Sequence, residues 1–166
     1  MSAKSPGRSS AFAAAALALV VGAPVALATT ERGRATATIV HAIMVTEAVP
    51  MSFAAVAPPS SGGAIVLTTS GAISGSGGFI FRGRPTPGAF DARGTPNHPA
   101  SVSFSSGNLV TGPGPAMRLG AFTTNNAAPV FDSAARLSFA VGATLVINPN
   151  QTPGQYTGTY AVTVNF

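Results

Sequence analysis

The sequence predicts an all-β chain folded as an antiparallel sandwich, and three observations carry that prediction. Charged residues make up only 8% of the 166 residues, too few for the Glu-, Lys- and Arg-rich surface of a helical bundle. Nineteen glycines and fourteen prolines cut the chain into short pieces. Between them, apolar and small polar residues recur with a period of two. The apolar fraction of 46% is also too high for a chain that stays unfolded. The length suits a single domain.

Residues 1–28 read as an export signal, helical while it acts. Lys4 and Arg8 supply its positive start, residues 11–21 are uninterrupted and apolar, and Gly22 and Pro24 end the helix. Ala26 and Ala28 flank Leu27 in the small-x-small pattern of a cleavage site, so cleavage is expected after Ala28. The alternative is a membrane anchor, but the run barely reaches the roughly 20 residues of a span and is broken near its end. The membrane is therefore expected as a partner only during export, towards the periplasm and then the cell surface or an extracellular fibre.

Cleavage would leave seven basic and four acidic side chains, a net charge of +3. Arg32, Arg34, Arg82, Arg84, Arg93, Arg118 and Arg136 are scattered, with little aromatic interleaving, which speaks against nucleic acid as a partner. The chain contains no cysteine, so neither a disulfide nor thiol chemistry is available to it.

Residues 29–34 form a short polar lead-in. The first strand is expected over 35–46 (ATATIVHAIMVT), where Ala35, Ala37, Ile39, His41, Ile43 and Val45 share a face. Its opposite face is partly apolar too, as fits a strand held deep between two sheets or inside another subunit. Strands follow over 51–56, 64–69 and 79–81, separated by Pro58-Pro59 and by the glycines of 74–78. Residues 82–88 (RGRPTPG) must loop, because two prolines cannot donate to a ladder. Further strands are expected over 89–92, 100–105 and 116–123, then over 136–140 and 143–147. After a turn at 148–154, residues 156–166 (YTGTYAVTVNF) alternate as one half-buried strand. Eight to ten short strands at this spacing fit a sandwich.

Chemistry-bearing residues are scarce. Glu31, Glu47, Asp91 and Asp132 are the only carboxylates, and nothing in their spacing pairs them for acid–base work. His41 and His98 are too few for a zinc site, and His98, in a Pro-Asn-His-Pro loop, is expected to face solvent. There is no G-x-S-x-G elbow, and the Gly75–Gly78 run has neither a dinucleotide fingerprint nor a phosphate-loop lysine. No catalytic residue, metal ligand or cofactor site is assigned, and a structural role is expected.

The ending PGQYTGTYAVTVNF, the preceding VGATLVINPNQTPG and the opening RATATIVHAIMVT with its following MSF carry a resemblance. They are similar to a family of bacterial pilin-like domains registered as domain of unknown function 4402, related to spore coat protein U and the archaic chaperone–usher pilins. The resemblance covers both ends of the chain; the middle matches by composition only. It implies an immunoglobulin-like sandwich, with one strand missing and its groove filled by an extension from the next subunit. Copies of this chain or sister subunits would then be its partners, with a periplasmic chaperone and an outer-membrane usher during assembly. The donor would be 35–45, with Ala35, Ala37, Ile39, Ile43 and Val45 filling pockets. The acceptor edge would be the last strand, with Tyr160, Val162, Val164 and Phe166. Two features depart from the family pattern: the absence of the disulfide common in spore coat U pilins, and His41 where relatives carry a small or apolar residue. A period-two segment reads the same if 35–45 stays in its own sandwich, as a self-contained binding module would require.

Overall fold

The computed structural model describes residues 42–166. The export signal with Ala26 and Ala28, the lead-in 29–34, and Ala35, Ala37, Ile39 and His41 lie outside the described residues. Among the described residues the chain is all-β. Its strands are β1 (Met44–Val49), β2 (Ala55–Ala57), β3 (Gly63–Leu67), β4 (Ile73–Gly75), β5 (Ile80–Arg82) and β6 (Gly88–Arg93). They continue as β7 (Ser101–Phe104), β8 (Asn108–Thr111), β9 (Met117–Thr124), β10 (Arg136–Ile147), β11 (Thr157–Gly158) and β12 (Val162–Asn165). Every pairing is antiparallel. One curled sheet runs β1-β6-β10-β9-β8-β11, with β3 added on β10 and β4 on β3; the pairs β12-β7 and β2-β5 form smaller sheets.

β10 organises the whole. Leu137, Phe139, Val141, Ala143, Leu145 and Ile147 alternate along it, and all are buried. Their common face is the floor of both hydrophobic clusters. Leu137, Phe139 and Val141 meet Phe90, Ala92, Phe131 and Val164 in the first cluster. Ala143, Leu145 and Ile147 meet Ile65, Met117 and Leu119 in the second. The sequence suggests two strands here, broken around 141–142; the structure joins them. Val141 pairs with Gly88 on one side and Thr124 on the other, so the ladder does not lapse. At Gly142 the backbones come so close that a Cβ would overlap the Leu67 carbonyl. The small residues that look like a break are what allow three strands to converge.

The final segment corrects the expectation in the opposite direction. Residues 156–166 are two strands, β11 on β8 and β12 on β7. Gly158 stands opposite Val110 and Val162 opposite Phe104, so three residues on one side span five on the other. The excess is folded into a turn, where Ser105 Oγ donates to Asn108 Oδ1 (2.6 Å) and Asn108 Nδ2 donates back to Ser105 O (2.7 Å). The ribbon kinks and changes layer. Its alternation survives because an odd number of residues crosses the kink.

Other differences are local. β4 and β8 were not expected, being three and four residues long beside glycines. His98 is half-buried, not solvent-facing, with its ring edge-on to Phe166 at 5.6 Å. β1 starts at Met44, and all six of its residues are exposed. A bulge at Ala48 interrupts its ladder with β6.

Candidate functional site

The second cluster is not fully roofed. Over Val110, Met117, Leu119, Leu145 and Ile147 runs a groove of about 970 Å³, walled by residues 51–60 on one side and 150–158 on the other. Each wall contains a short strand, β2 in one and β11 in the other, with a ladder partner on one side only. Among the described residues β2 pairs only with β5, and β11 only with β8. Pro58 and Pro59, which have no N–H, end β2 and keep the wall from extending into the sheet. At one end Asn150 N donates to Ser60 O (3.0 Å), joining the walls; Met51 and Tyr160 stand among the lining residues as well.

That wall is held rigidly by Tyr156. Its hydroxyl accepts from Gly114 N (2.9 Å) and Gln151 Nε2 (2.7 Å) and donates to Thr152 O (2.8 Å). Gln151 Nε2 also reaches Pro115 O (2.7 Å), and Asn148 Nδ2 donates to Gln151 Oε1 (2.8 Å) and Ala116 O (3.1 Å). A tyrosine tied to the backbone four residues upstream is a device of Greek-key sandwiches for fixing a corner between sheets. Gly112 and Gly114 leave room for the Tyr156 ring, since a Cβ at either would collide with it.

Tyr160 is built differently. Its ring stacks on Phe122 (5.0 Å) and meets Phe90 edge-on (6.1 Å), bridging the two clusters. Its hydroxyl is buried with no hydrogen-bond partner among the described residues. Burial, with a smaller contribution from the Glu47 carboxylate, pushes the phenol from 10.0 up to about 12.

No Asp, Glu, His, Lys or Arg lines the groove. It presents an apolar floor, backbone edges, two phenols and uncharged polar side chains, among them Ser52, Asn150, Gln151 and Gln155, a set suited to holding an extended, uncharged chain. Among the described residues no three acidic or histidine side chains cluster as metal ligands would.

A family model described as Domain of unknown function (DUF4402) matches residues 43–166. The chain belongs to this family. The match begins one residue before β1 and includes every strand described above, so the groove lies wholly within the DUF4402 domain. No curated protein and no solved structure matches the chain.

Of the residues singled out from the sequence, the DUF4402 fold brings Tyr160 to the groove. Val162 and Val164 lie in β12, opposite Phe104 and Val102. Phe166 packs against Phe131 (5.9 Å) and His98. Ile43 packs on the first cluster, and Val45 stands opposite Ala92 on the same chain's β6. The groove floor and the 51–60 wall carry no linear signal of their joint role; Tyr156, beside the Pro153-Gly154 turn, is the one residue there that a corner motif could have flagged.

Proposed function

We propose that this DUF4402 chain is a structural subunit of a cell-surface fibre, assembled by donor-strand exchange with copies of itself or sister subunits. The observation that carries this reading is the uncharged groove over the second cluster, with a free strand edge on each wall. An extended segment laid there would take main-chain hydrogen bonds from the edges and set alternate side chains against Val110, Leu119 and Leu145. Head-to-tail insertion does not close on itself and so makes a fibre. A periplasmic chaperone and an outer-membrane usher would cover the unpaired edges of β2 and β11 until a donor arrives.

The donor in this scheme is 35–45 of a neighbouring copy. Ala35, Ala37 and Ile39 precede β1 in the chain. Ile43 follows only if it gives up its packing on the first cluster, and Val45 only if β1 leaves β6. That step breaks ladder hydrogen bonds but uncovers little area, because β1 is exposed along its length. The β1–β6 pairing within one chain is also what favours a second reading: a self-contained secreted or outer-surface module in which 44–49 stays at home.

A synthetic peptide of residues 29–45, titrated into the exported chain, separates the two. Donation predicts saturable binding, concentration-dependent oligomers, and loss of both in a Val110→Arg variant that remains folded. An exported chain that stays monomeric at every concentration and ignores the peptide would sink the proposal in favour of the module.

A further inference from the structure

The groove and the start of β1 stand at opposite ends of β10. Met44 pairs with Arg93, and Arg93 with Arg136, the first residue of β10. Leu145 and Ile147, towards the other end of β10, floor the groove. From Arg136 to Leu145 the strand covers about 30 Å.

While β1 keeps its ladder with β6, residues 40–43 are all that separates Ile39 from Met44. Five Cα steps span at most about 18 Å. The chain's own Ile39 therefore falls short of its own groove. Once Ile39 is seated in the groove of another copy, the same limit holds the Met44 end of the donor within about 18 Å of that groove. Donation thus fixes which end of the donor body meets the acceptor.

What that end presents is largely apolar. Gly94, next to Arg93, lies so close to the Phe131 ring that an added Cβ would collide with it. Asn97 N donates to Phe131 O (3.0 Å), Phe131 N donates to His98 O (3.0 Å), and Pro99 bridges to Val130. Phe166 packs on Phe131 and His98, so the C-terminus joins the same end. Val130 is 51% exposed there and Phe166 46%. Residues 94–101 and 127–131 include no Asp, Glu, Lys or Arg. The carboxylate of neighbouring Asp132 is occupied by Ala134 N (2.9 Å) and Arg136 N (2.7 Å).

We propose that this end is a second contact between subunits, in which Val130 and Phe166 of the donor body lie against another copy of this chain beside its groove. The inference rests on the strand-donation reading and adds a body-to-body interface to it. A free donor peptide fills the groove but brings no body with it, so association of two chains and binding of the peptide respond differently to changes at Val130. A charge of either sign placed there is desolvated in the contact without a partner, because the surface around it offers none.

The test compares the exported chain with its Val130→Asp and Val130→Arg variants, by sedimentation across a concentration series and by titration with the 29–45 peptide. Both variants are expected to self-associate at least about tenfold more weakly than the parent and to bind the peptide as tightly as it does. Val66→Asp is the control: Val66 is 41% exposed on the outward face of β3, and a charge there should change neither measurement. Unchanged self-association in both Val130 variants would overturn the contact and leave strand donation standing. Equal losses in peptide binding and self-association, or a matching loss in Val66→Asp, would also overturn it, since the change then acts on the fold or the groove. A parent chain that neither self-associates nor binds the peptide removes strand donation itself, and this contact with it.

Discussion

Replacing Tyr160 with Phe should stabilise this protein at neutral pH and remove part of its alkaline sensitivity. The hydroxyl is buried without a partner, close enough to Gly88 that a Cβ there would overlap it. An unpaired buried hydroxyl costs about 1–3 kcal/mol, and deleting the oxygen forfeits some packing, so a net gain of about 1 kcal/mol is expected. The ring contacts with Phe90 and Phe122 are untouched by the change. In a domain of this size that gain raises Tm by about 3–5 °C. The alkaline arm follows from the phenol, raised by burial and then by Glu47 from 10.0 to about 12. The folded state holds this proton more tightly than the unfolded state does. Stability is therefore indifferent to this group below pH 10, falls as pH rises from 10 to about 12, and levels off beyond. Because the ring is partly open to solvent, a fall of about 1–2 kcal/mol is expected, less than the full shift would give. Urea unfolding of both proteins, near neutrality and across the alkaline window, measures the two arms, with m unchanged. A Phe variant that is less stable at neutral pH, or that loses stability in parallel with the parent through the alkaline window, would refute the reasoning.

Three further substitutions probe the frame of the fold. Gly142→Ala drives a Cβ into the Leu67 carbonyl where β3 and β10 converge, and should cost about 3 kcal/mol in a denaturant midpoint, with no gain from lower chain entropy visible. Tyr156→Phe leaves Gly114 N, Gln151 Nε2 and Thr152 O without their shared partner. A loss of about 1–2 kcal/mol is expected, with faster amide exchange at Gly114 as the local sign that the groove wall has loosened. Gly120→Val should raise thermal stability by about 0.5–1 kcal/mol, since a β-former replaces glycine with nothing in its way; a drop in Tm would mean the strand needs that glycine after all.

The sequence by itself determined the class of fold and most of its strands. Period two in 137–147 and in 156–166 is a property of each segment's own backbone, and burial follows it from Leu137 to Ile147 and from Tyr156 to Val164 except at Gly142, which is buried, and Gly158, which is exposed. The scarcity of ionisable residues was equally legible, and it foreshadowed a groove lined by none of them. Tertiary structure alone decided which edges find partners. The joining of 136–147 into one strand depends on β3, β6 and β9 meeting at Gly142. The kink after Gly158 depends on two surplus residues in a different segment, at 105–109. The groove needs walls from residues 51–60 and 150–158, far apart in the chain. A free strand edge is made of main-chain N–H and C=O groups that every residue but proline carries. No side chain announces in advance whether a neighbour will cover them.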